Sequence, residues 1–523
     1  MQILCFSPFG YEGNLVNVEV DLRRGIPAVD MVGLADNAVK ESRERMKSAI
    51  INSGLLFPPE RVLISLSPAD LKKEGAGFDL AVALAVLNAK EKLDEQNDDE
   101  KISAVFVMGE LELNGNVRPI KAIHAAVSTA YASGIRYCIV PKGNDDEARE
   151  IRGMKIFGAE NLTEAFHALK NPENFTTFYE TSSADEIREN LREADEVNGI
   201  YFSAATIETE FAEVKGQSEL LRALQIAAGG GHNLLAFGPP GCGKTLSMQK
   251  FPSLLPLLTK EESQSVTRIF SIAGILKNEK RGIQPPPFRQ PHQTATIEGL
   301  CGGGVHCQPG EISLAHNGVL FLDEAAEFRP SVLQMLRVPM ESAKITLSRA
   351  GRSTVFPANF QLLMSTNPCP CGNFGSKEKI CLCSSRAIEQ YWKKFSAPLL
   401  DRIELRVRVE SSKNSAEIPD EKKSTAMLRQ QIASAVKIQR KRGKKNARLS
   451  PAEVKEFCVM TNEAKNFLED SAEKGNFSQR AISGCIKVAR TIADMAEKEK
   501  IGEEEMREAV KFRFPKGAEE FLP

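Results

Sequence analysis

The sequence predicts an α/β protein: a parallel-sheet core built around a phosphate-binding turn, a helical lid behind that core and a separate α+β domain ahead of it. Three observations carry this expectation. Short β-like runs alternate with helical patterns over residues 1–170. An apolar run, Leu234–Phe237, feeds directly into Gly238-Pro239-Pro240-Gly241-Cys242-Gly243-Lys244-Thr245. Two more apolar runs, Val319–Leu322 and Phe360–Thr366, end in Asp323-Glu324 and Asn367. Continuous apolar strands of this kind belong to a sheet covered on both faces, and such sheets gather polar side chains at their carboxyl ends.

At 523 residues the chain is too long for one hydrophobic core. Composition divides it into an amino-terminal domain at 1–170, an acidic linker at 171–205, the phosphate-binding core at 206–410 and a helical lid at 411–523. Lys and Arg number 68 against 69 Asp and Glu, so net charge neither favours nor opposes nucleic acid. The start, MQILCFSPFG, has no basic segment followed by a long apolar one, and the apolar run Phe78–Leu87 contains Asp79 and is too short to span a bilayer. A soluble, cytoplasmic protein without a membrane partner is expected. The 11 cysteines are an odd number and four are clustered, which favours metal binding or burial over a disulfide framework.

In the amino-terminal domain Leu15–Leu22, Val62–Leu66 and Ala104–Met108 have strand character, and Ala35–Asn52, Asp79–Asn88 and Lys121–Ala132 have helical patterns. The run Gly109–Ile120, its following helix and Ser133–Pro141 resemble the proteolytic domain of Lon proteases, of ribosomal protein S5 domain 2-like fold, and Pro68–Asp79 resembles the segment around that family's nucleophile. Lon-type cleavage needs a serine deprotonated by a lysine. By this resemblance the serine position falls on or near Gly77 and the lysine position on His124, so the domain is expected to serve assembly or binding, with peptidase activity unlikely. His124 reads as a surface or packing residue. The stretch Asn171–Gly199 is acidic and poor in large aliphatics, as a linker is.

Residues Gly238–Thr245 match G-x-x-x-x-G-K-[ST] without a mismatch. Backbone N–H groups of such a turn, and the amino end of the following helix, converge on an anion. Lys244 is expected to reach the β- and γ-phosphates of ATP and the Thr245 hydroxyl to hold Mg²⁺. Asp323 completes the Mg²⁺ shell and Glu324 polarises the attacking water. Asn367 senses the γ-phosphate from the third strand. Upstream, Gly216-Gln217 opens a helix over Ser218–Ala228 and is expected on the adenine side of the nucleotide. Arg402, in Pro398-Leu399-Leu400-Asp401-Arg402-Ile403, is the candidate arginine finger reaching a neighbouring subunit, and Arg480, opening a helix over Ala481–Ala496, the candidate for contact in cis. Glu327, Arg329 and Arg337 read as surface.

Together these residues resemble the AAA+ superfamily, specifically the ATPase subunit of magnesium chelatase over residues 210–510, and the whole layout is similar to the YifB/ComM family. That resemblance implies an ATP-driven hexameric motor that moves DNA branch points, a helicase or translocase serving natural transformation. A chelatase-like motor that remodels a protein partner or drives metal insertion is the alternative, and Lon-type proteolysis is opposed by Gly77 and His124.

For DNA, two loops qualify as pore elements. One is Pro287–Thr296 with Gly302-Gly303-Gly304; the other is a hairpin of Lys344–Arg349 and Ser353–Phe356 around Ala350-Gly351-Arg352, whose arginines either grip phosphates or form a solvated tip. The basic run Lys437–Arg448 is an outer DNA patch or a solvated helix end. Finally, Cys369, Cys371, Cys381 and Cys383 form two C-x-C pairs, which fit a closed structural Zn²⁺ site or a set of buried, inert thiols.

Overall fold

The computed structural model describes residues 1–34, 36–69, 71–73, 75–91, 102–177, 194–214, 216–276, 283–305, 307–349, 352–375, 379–410 and 423–514. The amino-terminal sheet has eight strands: β1 Gln2–Ser7, β2 Asn14–Arg23, β3 Val29–Val32, β4 Arg61–Ser67, β5 Ala104–Val107, β6 Tyr137–Pro141, β7 Lys155–Ala159 and β8 Thr176–Thr177. Their order is β8-β7-β6-β5-β1-β2-β4-β3. The segment β5-β6-β7 is parallel, and helix α3, Ile123–Ala132, connects its first two strands. On the other side β1 pairs antiparallel with β2 and β2 with β4, and the alternation along Arg61–Ser67 puts Val62, Ile64 and Leu66 in the core.

Two helices cover this sheet, α1 Asn37–Asn52 and α2 Asp79–Glu91. Every residue of α2 from Asp79 to Asn88 is buried, as expected of a helix apolar all round. Asp79, fully buried at its start, is balanced by Arg45, whose Nε and Nη2 donate at 2.7 and 3.0 Å, and by the Leu111 N–H and Ser42 hydroxyl. The strand and helix expectations for this domain agree with the structure to within about three residues at helix and strand ends. The linker expectation does not hold at its edges: Thr176–Thr177 closes the eight-stranded sheet against β7, and Ala194–Val197 pairs with Ile200–Ser203. Residues 178–193 lie outside the described residues.

The second sheet has five strands, all parallel: β9 Leu234–Phe237, β10 Phe288–Arg289, β11 Val319–Leu322, β12 Gln361–Thr366 and β13 Leu405–Arg408, in the order β10-β11-β12-β9-β13. Every residue of β9, β11 and β12 is buried, which is why β9 and β11 are apolar from end to end and β12 is apolar through Leu362–Met364. Helices α4 Ser218–Gly230, α5 Lys244–Gln249, α6 Lys260–Ala273 and α7 Ser385–Lys393 belong to this unit. The carboxy-terminal part is helical: α8 Thr425–Arg442, α9 Pro451–Phe457, α10 Asn462–Gly475, α11 Gln479–Met495 and α12 Glu503–Arg513. It is fastened by Asp494, fully buried, which accepts from Arg442 at 2.9 and 3.0 Å, Arg490 at 3.0 Å and Asn446 at 2.8 Å. Among the described residues no helix is long and apolar enough to cross a membrane.

The two sheets are joined at α3 and α6. Arg268 of α6 donates to the Tyr11 carbonyl at 3.1 Å, the Glu12 carbonyl at 3.2 Å and Thr129 Oγ1 at 3.1 Å, and its guanidinium lies 4.7 Å from the Tyr11 ring centroid. Glu147 accepts from the Ser271 hydroxyl at 2.5 Å and from the His124 N–H at 2.9 Å. Ala122, Ala125, Ile272 and Phe356 make a small apolar core at this joint.

Three histidines are held neutral by burial. His124 and His232 are pushed down to about 3 and His316 to about 4, with desolvation the largest cause in each. An unfolded chain takes up these protons near pH 6.5, well above the folded values, so stability is complete above that pH and is lost as pH falls toward 3–4. The urea midpoint is therefore expected to drop between pH 7.5 and 5.5, by on the order of 1 kcal/mol per histidine in stability; a flat or rising midpoint contradicts the neutral, buried assignment.

Candidate active site

The site forms where β9, β11 and β12 end. Strand β9 runs into the turn Gly238–Gly243, and α5 begins at Lys244. Gly238 has no alternative, since a Cβ there would overlap the carbonyl oxygen of Val409. The Gly238 N–H donates to the Thr366 carbonyl at 3.3 Å, which sets the first residue of the turn beside the end of β12 and the half-buried Asn367 that follows. Lys244 is buried, and its Nζ donates to the carbonyls of Gly238 at 2.7 Å and Pro239 at 2.8 Å. Desolvation lowers its pKa, opposed by Cys242, Asp323 and Glu324. Gly241 and Gly243 have φ of 78° and 82°, and they turn the backbone around the space between Pro239 and Thr245.

Asp323 is the meeting point. Its Oδ1 accepts from Thr245 Oγ1 at 3.0 Å, from the Glu324 N–H at 3.1 Å and from the Ser365 hydroxyl. Thr245 and Asp323, one hydrogen bond apart, are the hard oxygen donors that Mg²⁺ takes. Glu324 is exposed, in left-handed backbone at φ 48°, a sparsely populated state for a residue with a side chain. Its carboxylate accepts from Gln293 Nε2 and its N–H also donates to Ser365 Oγ at 3.2 Å. Ser365 and Gln293 escaped the sequence reading. Ser365 is the penultimate residue of β12, where a hydroxyl among apolar neighbours was a usable signal; Gln293 sits in the loop taken for a pore projection, where nothing marked it.

Two of the expected nucleotide contacts have these partners within the chain. Gly216-Gln217 was expected on the adenine side, and the Gln217 amide bonds to the cradle itself: Nε2 donates to the Cys242 carbonyl and Oε1 accepts from Ser247 Oγ at 3.0 Å. Gln217 braces the turn and the first turn of α5 from behind. Arg480 was expected to contact nucleotide in cis. Among the described residues its side-chain bonding is to Glu341 alone, at 2.7 Å, and the other oxygen of that carboxylate accepts from Arg402 Nη2 at 2.5 Å. The two arginines thus share one acid, away from the cradle's own bonding network. Arg402 also donates to the Pro398 carbonyl at 2.6 Å, and its Nε is buried without a partner among the described residues. Asp401 beside it accepts from Ser478 at 3.0 Å and Arg513 at 2.7 Å, tying this turn to both α11 and α12.

The other candidates fall as follows. The hairpin pairs Lys344–Arg349 with Arg352–Pro357, and Arg349 stands opposite Arg352. Its base is docked on the amino-terminal domain: Phe356 is fully buried, edge-on to Tyr11 with centroids 6.1 Å apart, and Thr354 Oγ1 accepts from the Tyr11 N–H at 3.1 Å. The basic run Lys437–Arg448 is largely consumed inside the molecule, since Arg442 pairs with Asp494, Lys444 with Glu453 at 2.7 Å, and Arg448 donates to Met340 and Phe360 carbonyls at 2.7 and 2.8 Å. In the Lon-like domain a Cβ on Gly77 would stand 2.9 Å from Met108 and 3.3 Å from Ile120. His124 is 2 % exposed with both ring nitrogens unpaired, which makes it a packing residue. Glu327 and Arg329 are exposed as expected, whereas Arg337 is half-buried. The sulfurs of Cys369, Cys371, Cys381 and Cys383 all lie within 4.8 Å of one another.

Comparison with known proteins gives the same picture. Residues 210–417 match the family described as magnesium chelatase, subunit ChlI; residues 18–144 match a second model of that subunit, and residues 422–513 its carboxy-terminal model. The chain is 37% identical to the uncharacterized protein YifB of Escherichia coli over 97% of this chain and 96% of that one. It is 35% identical to the competence protein ComM of Haemophilus influenzae over 97% and 96%. A weaker, partial likeness, 28% over 31% of this chain and 33% of the relative, is to Lon protease 2 of Bacillus subtilis. Full-length identity at this level, with the cradle and the acids of β11 assembled as above, places the chain in the YifB/ComM family of magnesium chelatase-like AAA+ proteins.

Proposed function

We propose that this chain is an ATPase whose working form is a hexameric ring, and that hydrolysis drives movement along DNA as a branch-migration helicase or translocase in the recombination of natural transformation. The observation that carries the ATPase half is the convergence of Thr245, Ser365 and Glu324 on Asp323 at the ends of three adjacent parallel strands. ATP and Mg²⁺ are the ligands this chemistry takes. Bound Mg²⁺ neutralises phosphate charge, held by Thr245 and Asp323. Lys244 exchanges the Gly238 and Pro239 carbonyls for phosphate oxygens, Glu324 orients the attacking water, and Asn367 contacts the γ-phosphate from the end of β12.

The ring follows from the arginines. A transition state for phosphoryl transfer needs cationic donors, and Arg402 and Arg480 face Glu341. Presented together to a neighbour's nucleotide, they complete its site in trans. For the DNA half, the support is the full-length likeness to a protein named for competence and the hairpin with arginines in register at its end. The second reading is remodelling of a protein partner or metal insertion, favoured by the magnesium chelatase models that match three segments of the chain.

Lys244→Ala and Glu324→Gln are each expected to lower ATP turnover by about 100-fold or more, measured as phosphate release; turnover near wild type in either variant contradicts the assigned chemistry. Arg402→Ala and Arg480→Ala are expected to keep nucleotide binding and lose turnover, and each, mixed with Glu324→Gln subunits, should regain it, because a mixed ring contains interfaces with every group present. An arginine acting in cis gives no recovery. Single-stranded or branched DNA is expected to raise turnover at low salt and to lose this effect as salt rises; a rate indifferent to DNA over that range selects the protein-remodelling reading.

A further inference from the structure

We propose that Cys369, Cys371, Cys381 and Cys383 form a closed zinc site, and that this metal holds the loop that shapes the outer wall of the phosphate cradle. The four sulfurs converge within 4.8 Å of one another. Three of the separations are 3.4, 3.7 and 3.6 Å, for Cys369–Cys371, Cys369–Cys381 and Cys371–Cys381. A tetrahedron with Zn–S bonds of roughly 2.3 Å has edges of about 3.8 Å, so the thiols already occupy the corners of a single-ion site. An iron–sulfide cluster would need its thiolates spread farther to make room for its inorganic atoms. Four soft sulfur ligands select zinc among the divalent ions a cell offers, and with all four positions filled by protein there is no place for a reacting water. Burial of the ligands is graded: Cys369 belongs to the core, Cys381 and Cys383 are half-buried and Cys371 is exposed. Simple apolar burial does not explain thiols that approach one another on the exposed side.

The site is built into the ATPase at both ends. Cys369 follows Asn367 by two residues, and Cys383 immediately precedes Ser384, whose hydroxyl caps α7 by accepting from the Ala387 N–H at 3.3 Å. From α7, Trp392 donates to the Pro368 carbonyl at 3.0 Å and Tyr391 bonds to Thr366 at 2.9 Å. Arg408, at the end of β13, donates to the Gly375 carbonyl at 2.9 Å. Between the two pairs, Gly372 lies against the cradle: with φ 78°, a Cβ on it would stand 2.7 Å from Pro240 Cδ and 3.9 Å from the Asn367 side chain. A metal that fixes Cys371 therefore fixes its neighbour Gly372, and through it Pro240 and Asn367. The coupling to turnover rests on the ATPase reading above; the metal site does not.

The test separates them. Full-length protein expressed with zinc is expected to carry about one zinc per chain by elemental analysis, and cobalt substitution should give the intense near-ultraviolet thiolate absorption of a tetrahedral cobalt site. Cys381→Ser and Cys383→Ser should lose the zinc, and a mercurial should release it from wild type. Absence of zinc from wild type, full occupancy in both variants, or iron in its place overturns the site. For the coupling, Gly372→Ala should retain zinc yet lower kcat/KM for ATP by about tenfold or more, and zinc-depleted wild type should show a similar loss restored by zinc alone. Unchanged kcat/KM in both overturns the coupling while leaving the metal site standing; a Lys244→Ala protein that is zinc-loaded and inactive shows the two readings failing or holding separately.

Discussion

One carboxylate oxygen, Asp323 Oδ1, accepts from the helix that follows the phosphate turn, from the neighbouring strand β12 and from the backbone of Glu324. The phosphate turn with its helix, Glu324 and the end of β12 lie on three separate stretches of sequence, and this oxygen is where they are brought to a common register. The parallel sheet makes that possible. Because β9, β11 and β12 run in one direction with Leu234 opposite Leu363 and Val319 opposite Gln361, their carboxyl ends align, and residues just beyond them become neighbours that can bond across long stretches of sequence. An apolar substitution at Asp323 would leave Ser365 and Thr245 facing a gap and free Glu324 from its left-handed turn.

The amino-terminal domain uses the same economy. The helix on which the Lon resemblance would place a catalytic lysine is α3, and here it is the docking helix: His124 is buried, its N–H is bonded to Glu147, and Glu147 reaches Ser271 of the ATPase unit. Arg268, one turn earlier on α6, holds Tyr11 and Glu12. Tyr11 in turn packs on Phe356 at the base of the arginine hairpin. The hairpin base, α3 and α6 are thereby linked to the amino-terminal sheet through a few packed contacts. The neutrality of His124 fits this role, since a charge there would be buried beside Arg268.

The main strands and both acids were legible because their signals are local. Leu234–Phe237 before a glycine turn and four apolar residues before Asp323 each specify a strand and its end within a dozen residues, and burial on both faces explains their composition. Short strands such as Phe288–Arg289 and Thr176–Thr177 carry no such pattern and are defined only by the partner they pair with. The roles of Gln217, Gln293 and Ser365 were hidden for another reason. An amide or hydroxyl announces its polarity but not its partner, and the partners here are 25, 31 and 42 residues away. The partner of Arg480 was hidden by the same ambiguity, since the sequence shows that a helix opens with an arginine but not which way the helix faces.

The bonding of Arg480 bears on the proposed ring. Arg402 and Arg480 lie in different parts of the chain, yet Glu341 binds both, and the bond from Ser478 to Asp401 locks the start of α11 to the turn that carries Arg402. The two guanidiniums are thereby gathered on one carboxylate. Glu341 is held below the usual carboxylate range, first by its hydrogen bond from Arg402, so the charge of the pair is neutralised in part. Exchanging that acid for a neighbour's phosphates keeps every guanidinium facing an anion and replaces one charge by several. It also offers a partner to Arg402 Nε, a buried donor that has none among the described residues. Arginines pre-aligned on a surrogate anion lose little freedom when the true one arrives, and that is the condition under which assembly, and not nucleotide binding alone, sets the rate of hydrolysis.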